Sequence, residues 1–391
     1  MSHVHVAGVG MHPFGRHPDL SLKDLARTAA LRAVADAGVA MSDIDAVYSA
    51  NAMAGALQGQ EQIRGQAVLR DIGLEGIPVV NVENACASGS TALREAVIAV
   101  RAGASDVVLA LGFEKMFVDD LNVTLDALES AADLDVVGGL GLQFTAIYAM
   151  RLRKWIDAGL LTPHHLALAS VKSHDNGARN PYAQHQKRFS ADEIMASRPI
   201  ADPLTLLMCS SICDGAAAVI VMSDRAAARL GSSHPGVVIR ASQLRSGYSS
   251  TPGDPSTPTL CARAAYEEAG LAPSDIDVAE VHDAMAPGEL LYYEQLGFCE
   301  ADEVAHMIES GATRISGSMP VNTSGGLSSR GHPIGATGLA QIAELTWQLR
   351  GQAEARQVQT PRIALAQNSG GWLQGEPAAC NVHILERTTP W

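Results

Sequence analysis

The stretch AGVAMSDID, residues 37–45, returns with small changes as AGLAPSDID, residues 269–277. Each copy follows an alanine-rich segment in which apolar residues recur at helical spacing. Each copy then leads into a short apolar stretch of strand character, at residues 46–49 and 278–281. The repeat indicates that the chain is built from two related halves.

Helix boundary signals accompany both copies. Ser21 is predicted to cap the helix before the first copy, with Asp24 three residues further on, and Gly38 is predicted to end that helix. Gly270 takes the place of Gly38 in the second copy. Both halves are therefore expected to start with the same helix and strand.

The similarity continues further along each half. ALREAVIAVRAG (92–103) followed by DVVLALG (106–112) is typical of a helix, a turn and a buried strand. LAQIAELTWQLRG (339–351) followed by RIALAQN (362–368) has the same order. Strands that alternate with helices predict βαβ units and a mostly parallel sheet, hence an α/β protein.

One segment breaks the repeat, from residue 117 to about residue 200. We interpret it as an insertion in the first half. The predicted halves are residues 1–235, which include this insertion, and residues 236–391. Since insertions at strand ends commonly carry substrate contacts, residues 117–200 are expected to shape a binding site.

Composition limits the class of protein. With 47% hydrophobic and 18% charged residues, the chain can form a sizeable core. Its 42 acidic against 28 basic residues give a net charge of −14, which argues against a nucleic-acid partner. We find no apolar run long enough for a membrane span, no signal peptide, and no cysteine spacing typical of a metal site. We expect a cytoplasmic protein with reduced thiols and no bound metal.

Signatures of several other enzyme classes are missing from the sequence. There is no GxGxxG after the first strand, no phosphate-binding P-loop, no HExxH and no GxSxG. A dinucleotide-dependent dehydrogenase, a nucleotide hydrolase, a zinc protease and a serine hydrolase are therefore disfavoured.

A cysteine lies at the start of the helix in NVENACASGSTALREAV, residues 81–97. The helix dipole at this position is expected to lower the pKa of the Cys86 thiol. The small residues around it let a ligand approach the sulfur. A buried cysteine with no chemical role is the alternative, because free cysteine is among the most buried residue types.

A histidine occupies the related position of the second half, in VNTSGGLSSRGHPIGATGLAQ, residues 321–341. His332 lies just before the predicted helix and could take a proton from a thiol. Because this element repeats the Cys86 element, packing of the two halves is expected to bring both helix starts to one cleft. A histidine in a surface loop is the alternative.

Two further segments end in polar or flexible residues. In EVHDAM (280–285), His282 could hydrogen-bond a developing oxyanion, and Asp283 is expected to cap the following helix. In ALAQNSGGWLQG (364–375), the backbone N–H groups at Gly370 and Gly371 could form a second oxyanion site, although a plain turn is the alternative.

Together these segments resemble the thiolase superfamily, most closely the branch of sterol-carrier-protein-type thiolases and archaeal-type acetoacetyl-CoA thiolases. The resemblance runs along nearly the whole chain, through the motifs NACASGS, GFEKM, DPLTLLMCSSICDGAAA, VHDAM, VNTSGGLSSRGHPIGATG and QNSGGW. It implies a five-layered αβαβα fold of two duplicated halves, with the insertion as a loop domain. It also implies acyl-CoA substrates without a separate cofactor, at least a homodimer, and in several members a separate partner with an OB-fold and a zinc ribbon.

The resemblance assigns roles by matching position. It implies that Cys86 is the nucleophile that forms an acyl thioester and that His332 activates it. It places His282 as an oxyanion-hole histidine and Gly370 as a main-chain N–H donor. It also places Asn322 among the oxyanion and substrate contacts.

Two departures from the family pattern leave the reaction open. Where many thiolases have a second acid–base cysteine, this chain has Asn368, and where the sterol-carrier type can have one, it has Ala284. A thiolase-type acyl-CoA C-acyltransferase is the first hypothesis. A lyase that cleaves a β-hydroxyacyl-CoA by a retro-aldol reaction is the second, with a tyrosine as general acid: Tyr248, Tyr292 or Tyr293. A non-catalytic acyl-CoA-binding or lipid-transfer protein is the third.

Overall fold

A computed structural model describes residues 3–141, 143–230, 236–251 and 253–388. The strands are β1 Val4–Met11, β2 Ala46–Ala50, β3 Val79–Val82, β4 Val107–Glu114, β5 Pro199–Ala201, β6 Leu204–Thr205, β7 Gly215–Ser223, β8 Val237–Ser246, β9 Val278–Glu280, β10 Ile363–Gly370 and β11 Ala379–Arg387. The helices are α1 Leu22–Ala37, α2 Ala54–Gln58, α3 Arg64–Leu69, α4 Ser88–Arg101, α5 Leu121–Glu129, α6 Leu134–Val137, α7 Phe144–Asp157, α8 Pro163–Gly177, α9 Ala191–Met195, α10 Asp224–Leu230, α11 Thr257–Ala269, α12 Glu289–Gln295, α13 Val304–Glu309 and α14 Thr337–Arg350. None of the helices in these ranges has the length and apolar character that crossing a membrane requires.

The repeated helices begin and end as predicted. The Ser21 side chain accepts a hydrogen bond from the Asp24 N–H while Asp24 accepts one from the Ser21 N–H, which completes a capping box for α1. Gly38 ends α1 with a φ of 68°, and Gly270 ends α11 with a φ of 66°. Glycine suits both ends because left-handed φ values are unfavourable for residues with a Cβ atom.

The strands form a sheet in the order β3-β2-β4-β7-β1-β8-β11-β10-β9. Strands β1 and β8 pair only at His5 and Val238, so each half contributes its own sheet and the two meet at this corner. Strand β2 is parallel to β3 and β4, and β9 is parallel to β10, whereas the other neighbours are antiparallel. The prediction of a mostly parallel sheet is wrong, because β10 and β11 are consecutive strands joined by a short loop without a crossover helix.

The layers follow from what each helix packs against. Helices α4 and α14 lie between the two sheets and share one apolar core, to which Leu93, Val97, Leu339 and Ile342 contribute. Helix α1 covers the outer face of the first sheet. Helix α11 covers the outer face of the second sheet, together with part of the insertion. This order of helix, sheet, helix, sheet and helix is the five-layered arrangement that the resemblance implies.

The insertion is anchored to the second half by a buried ion pair. Its segment forms α5 to α9 and the short β5. In α8, Lys172 pairs with Glu289, and each side chain is 1% exposed. Lys172 also donates a hydrogen bond of 2.7 Å to the carbonyl of Val321. Since an unpaired buried charge is costly, this contact fixes α8 against the segment that leads to His332.

Candidate active site

Three of the predicted residues meet in one place. Cys86 lies in a single 3₁₀ turn before α4, His282 follows β9, and His332 precedes α14. The Cys86 sulfur and one ring nitrogen of each histidine all lie within 4.8 Å of one another. The three side chains line a cavity of about 470 Å³. The two related helix starts therefore face one cleft, as the repeat predicts.

A strained turn presents Cys86 to this cavity. Ala85 has a φ of 48°, which is unfavourable for a residue with a Cβ atom. The Ala85 N–H donates to Glu83 over 2.6 Å, and the Ser88 hydroxyl donates to the Ala85 carbonyl over 2.6 Å. The Asn84 N–H donates to the Ser88 hydroxyl oxygen over 2.9 Å. These hydrogen bonds hold the turn in the conformation that places the sulfur in the cavity.

The thiol of Cys86 is protonated in the free protein. Burial raises its pKa to about 12, and the Glu114 and Glu83 carboxylates raise it as well. Hydrogen bonds from the N–H groups of Cys86 and Gly371 act in the opposite direction but are outweighed. The prediction of a lowered pKa at the helix start is wrong, because it left out burial and the nearby carboxylates. The thiolate must therefore form by proton transfer to a neighbouring group.

His332 can accept that proton. Its Nδ1 lies 2.6 Å from the Thr337 hydroxyl oxygen, and that hydroxyl donates to the Pro333 carbonyl over 3.1 Å. Because the Thr337 proton is used in this way, Nδ1 carries a proton and donates it to Thr337. The Nε2 of His332 is then unprotonated. Burial, followed by the neighbouring His282 ring, lowers the pKa of His332 well below its usual value, so the ring is neutral at pH 7.

His282 has the opposite arrangement of protons. The Asn368 Nδ2 lies 2.9 Å from its Nδ1. Since an amide NH₂ only donates, Nδ1 is an acceptor and the proton of the neutral ring is on Nε2. Burial lowers the pKa of His282 to about 3. His282 is therefore a neutral hydrogen-bond donor, whereas His332 is a neutral proton acceptor.

The sequence analysis missed the residues that fix these two states. Asn368 was interpreted as the loss of a cysteine, and Thr337 was assigned no role. The position of Thr337 five residues after His332, in the first turn of α14, is a signal that could have identified it. No comparable sequence signal points from Asn368 to His282, because their contact joins the ends of two different strands.

The predicted Gly370 lies where strand β10 touches the turn that contains Cys86. A Cβ atom on Gly370 would lie 2.2 Å from the Asn84 carbonyl oxygen and 2.5 Å from the Ala87 nitrogen. Glycine is therefore required for this close approach. The N–H of the next residue, Gly371, hydrogen-bonds to Cys86. This end of β10 thus supplies a main-chain donor at the sulfur, one residue beyond Gly370.

Glu114 is a buried carboxylate near Cys86 to which the sequence analysis assigned no role. Glu114 accepts hydrogen bonds of 2.7 to 3.1 Å from the Asn51 side chain and from the N–H groups of Ala52, Met53 and Gly335. Gly335 belongs to the second half and the other three residues to the first. Glu114 therefore ties the loop after His332 to the sheet of the first half. Burial raises the pKa of Glu114 to about 7.

Two predictions for neighbouring residues are corrected. Asn322 is fully buried and does not line the cavity, because its side chain accepts from the Val281 N–H over 2.8 Å and donates to Glu289 over 2.7 Å. These hydrogen bonds join the end of β9 to the start of α12. Asp283 does not cap a helix but accepts a hydrogen bond of 2.8 Å from the Leu327 N–H.

Of the three tyrosines proposed as general acids, Tyr292 lines the cavity. The Tyr293 hydroxyl donates to the buried Glu289. Tyr248 is 37% exposed and donates to the Pro255 carbonyl. Much of the cavity wall comes from the insertion, which supports the prediction that residues 117–200 shape the binding site.

Cys86, His282 and His332 are also the one group in the described ranges whose atoms could hold a metal ion. His282 is poorly suited to that use. With Asn368 donating to Nδ1, its other ring nitrogen carries a proton and has no lone pair to offer a metal. The arrangement favours proton transfer and hydrogen bonding to a substrate.

Comparison with known protein families gives two matches that together span most of the chain. Residues 4–225 match the family described as "Thiolase, N-terminal domain". Residues 256–387 match "Thiolase C-terminal domain-like".

Three relatives are similar along most of their length. The chain is 42% identical to the acetyl-CoA acetyltransferase of Methanothermobacter thermautotrophicus, with 99% of this chain and 100% of the relative covered. It is 38% identical to sterol carrier protein 2 of Oryctolagus cuniculus, covering 94% of this chain and 70% of that one. It is 36% identical to the benzoylsuccinyl-CoA thiolase subunit BbsB of Thauera aromatica, covering 94% of each.

Two solved structures share the fold. The Ltp2–ChsH2(DUF35) aldolase superposes with a TM-score of 0.82 at 25% identity and 99% coverage of both chains. Human mitochondrial 3-ketoacyl-CoA thiolase superposes with a TM-score of 0.74 at 19% identity and 99% coverage of both chains, a likeness of fold.

Proposed function

The chain belongs to the thiolase superfamily, and we propose that it transfers acyl groups between coenzyme A thioesters through a covalent thioester on Cys86. One observation carries this proposal. The Cys86 thiol and one ring nitrogen of each histidine lie within 4.8 Å of one another, and the hydrogen bonds at the two Nδ1 atoms leave His332 with an unprotonated Nε2 and His282 with a protonated Nε2. These are a nucleophile, its base and a donor for a negatively charged oxygen. Acyl-CoA C-acyltransfer is the reaction that uses all three.

In the first half-reaction, His332 Nε2 takes the thiol proton while the Cys86 sulfur attacks the thioester carbonyl carbon. Because the pKa of the thiol is about 12, deprotonation and attack are expected to be coupled. The N–H groups of Cys86 and Gly371 face the carbonyl oxygen as it becomes negative. The carbon–sulfur bond to coenzyme A then breaks, and the leaving thiolate takes the proton back from His332.

In the second half-reaction, a second acyl-CoA places its thioester oxygen against the Nε2–H of His282. This hydrogen bond stabilises the enolate formed when the α-carbon loses a proton. His332 is neutral again after the first half-reaction and is the base that we assign to this step, in place of a second cysteine. The enolate carbon attacks the Cys86 thioester, a carbon–carbon bond forms and the thiol is restored. The reverse sequence cleaves a 3-oxoacyl-CoA.

Intact-mass measurement after incubation with acetyl-CoA tests this proposal. We expect the mass to increase by one acetyl group, and proteolytic mapping to locate that group on Cys86. An unmodified protein, or an acetyl group on another residue, would exclude Cys86 as the acyl carrier.

Retro-aldol cleavage of a β-hydroxyacyl-CoA is the second candidate function. It is favoured by the position of Tyr292 in the cavity wall and by likeness to the structure of the Ltp2–ChsH2(DUF35) aldolase. Release of an aldehyde or ketone from a β-hydroxyacyl-CoA would support it. A role limited to binding acyl-CoA or lipid is less consistent with the site, because binding alone needs no thiol beside two neutral histidines held in opposite tautomers.

Replacement of Thr337 by valine tests which tautomer of His332 the protein uses. Valine keeps the shape of the threonine side chain but removes the oxygen that accepts the Nδ1 proton, so the His332 ring can flip or change tautomer. We expect kcat to fall about tenfold, as for loss of one hydrogen bond, without a comparable rise in KM. Thr337→Ser is the matched control and should retain most of the activity. Equal rates for the valine and serine variants would contradict the assignment.

A homodimer is supported by an open sheet edge. Strand β3 is the last strand of the first half's sheet, and Val80 in it is 46% exposed. An unpaired apolar edge is suited to pairing with another chain. We infer that β3 pairs with its counterpart in a second copy. This strand leads directly into the Cys86 turn, so such a contact would brace the nucleophile.

Val80→Lys tests that interface. Two lysines brought together across a β3–β3 contact should raise the dimer dissociation constant at least about tenfold. Light scattering during gel filtration measures the effect. Leu31→Lys, on the outer face of α1 and 43% exposed before substitution, is the control that should leave the molar mass unchanged. A Val80→Lys protein that stays dimeric at low concentration would place the interface elsewhere.

A separate partner subunit is the remaining proposal. One similar structure is the Ltp2–ChsH2(DUF35) aldolase, and one relative is the benzoylsuccinyl-CoA thiolase subunit BbsB. By analogy we infer a partner of the OB-fold and zinc-ribbon type. Full acyl transfer by the purified chain alone would show that such a partner is not required for catalysis.

A further inference from the structure

One face of α7 forms part of the cavity wall. Phe144, Ile147, Tyr148 and Arg151 follow one another at helical spacing and all line the cavity. Arg153, two residues further on, points elsewhere and pairs with Asp202. Helix α7 thus presents a half-buried arginine to the cavity that contains Cys86.

The guanidinium of Arg151 lacks a carboxylate partner. Among the residues that the structure describes, it has neither an ion pair nor a side-chain hydrogen bond. By contrast, three buried arginines are each paired with an acidic residue: Arg330 with Glu280, Arg350 with Asp36 and Arg356 with Glu344. An arginine on a cavity wall without such a partner is available to an anionic group of a ligand.

Two buried tyrosines lie beside this arginine. Tyr148 is 8% and Tyr292 is 2% exposed, and both line the cavity. The Tyr292 hydroxyl lies 3.4 Å from the Ser369 hydroxyl, next to the Gly370 that touches the nucleophile turn. Burial raises the pKa of both tyrosines, whereas the charge of Arg151 acts to lower both. The Cys86 side chain also acts on Tyr148, so Tyr148 has both the sulfur and the guanidinium within electrostatic range.

We propose that Arg151 and the hydroxyls of Tyr148 and Tyr292 bind a carboxylate at the far end of the acyl group. This inference rests on the proposed function and specifies its substrate class: 3-oxoacyl-CoA thioesters whose acyl chain ends in a carboxylate. A purely apolar chain would leave the Arg151 guanidinium without a partner when it filled the cavity, which is unfavourable. A carboxylate can accept hydrogen bonds from all three groups.

The phosphates of coenzyme A are the other source of negative charge. Arg198 also lines the cavity but is exposed, so it is better placed for groups that remain near solvent. Arg151 is half-buried and lies beside the buried tyrosines. We therefore assign Arg151 to the acyl group.

The proposed reaction is balanced without an additional reactant. His332 takes the proton of the Cys86 thiol as the sulfur adds to the C3 carbonyl, and the C2–C3 bond then breaks. Its electron pair goes to C2, which takes that proton from His332 as acetyl-CoA leaves. The carboxyacyl group remains on Cys86 as a thioester, with its carboxylate at Arg151. Free coenzyme A then attacks this thioester, releasing a carboxyacyl-CoA and the Cys86 thiol.

The test compares two thioesters of equal chain length, 3-oxoadipyl-CoA with a terminal carboxylate and 3-oxohexanoyl-CoA with a terminal methyl group. We expect wild-type thiolysis to favour the carboxylate thioester at least about tenfold in kcat/KM. Arg151→Met should lower kcat/KM for 3-oxoadipyl-CoA by about 30- to 100-fold and for 3-oxohexanoyl-CoA by less than about threefold. Arg153→Met, on the same helix, is the matched control and should change each value by less than about twofold.

Several outcomes would overturn the proposal. A wild-type protein that prefers the methyl-terminated thioester, or that cleaves both thioesters equally well, would contradict the proposal. An Arg151→Met variant that cleaves both substrates more slowly by the same factor would also contradict it. If such an equal loss disappears with the corresponding N-acetylcysteamine thioesters, which lack the phosphates, Arg151 contacts coenzyme A instead.

A binding measurement separates this inference from the proposed function. Calorimetric titration of Cys86→Ala with both thioesters reports recognition without turnover. We expect Cys86→Ala to bind 3-oxoadipyl-CoA more tightly than 3-oxohexanoyl-CoA, and we expect this difference to disappear when Arg151→Met is added. That result supports the carboxylate site even if Cys86 carries no acyl group. Equal binding of both thioesters overturns the site while leaving acylation of Cys86 intact.

Discussion

Cys86→Ala is expected to lower kcat for thiolysis of acetoacetyl-CoA by at least about 10⁴-fold, the order of loss found when a covalent nucleophile is removed. In the proposed mechanism the sulfur is the atom that carries the acyl group, while His332 acts as a base and His282 as a hydrogen-bond donor. The variant should also show no acetyl adduct in intact-mass measurements after incubation with acetyl-CoA.

The control for this substitution is Cys299→Ala. Cys299 is a free cysteine outside the cavity wall, so its removal should leave the rate and the adduct unchanged. Cys86→Ala protein that still becomes acetylated, or that retains more than about a hundredth of the rate, would show that the acyl group is carried elsewhere.

His332→Ala should change both the rate and the pH dependence of Cys86 acetylation. Loss of a general base typically lowers a rate 10²- to 10⁴-fold, and we expect about 10³-fold near pH 7. In the wild type, the pKa of His332 lies well below its usual 6.5, so the imidazole is neutral and the rate should stay nearly constant from pH 7 to 9. In the variant, acetylation depends on spontaneous ionisation of a thiol with a pKa of about 12. Its rate should therefore rise about tenfold per pH unit over this range.

The measurement is the rate of acetyl transfer from acetyl-CoA to Cys86, followed by quenching and mass analysis at each pH. His282→Ala is the comparison, because it removes the oxyanion donor but keeps the base. It should leave the acetylation rate independent of pH while slowing cleavage of acetoacetyl-CoA. A His332→Ala profile that is as flat as the wild type would identify a different base.

The sequence predicts the fold and the nucleophilic centre because both depend on local pattern. The repeated AGVAMSDID and AGLAPSDID segments, the caps at Ser21 and Gly38, and the two helix starts are all written in contiguous residues. Their similarity is enough to bring Cys86 and His332 to one cleft. The mixed strand directions were not predictable in the same way, because the second strand of the β10–β11 hairpin lies outside the repeat.

The parts of the site that the sequence did not predict are contacts between distant segments. Asn368 meets His282 only because β10 and β9 are neighbours, and Glu114 meets Gly335 only because the two halves pack together. The raised pKa of Cys86 has the same origin, since burial and a carboxylate from β4 outweigh the local helix dipole. Asn322 is the opposite case. It belongs to a motif next to the site, but its side chain hydrogen-bonds to Val281 and Glu289 in the protein interior.

The placement of α4 and α14 back to back between the two sheets has a consequence for how the protein loses activity. One duplicated copy carries Cys86 and the other carries His332, so the proposed pairing of nucleophile and base depends on an interface inside a single chain. A slip of one half against the other by an ångström would separate sulfur from imidazole while leaving every helix and strand formed. Mild heating should therefore inactivate the enzyme before circular dichroism detects any loss of secondary structure.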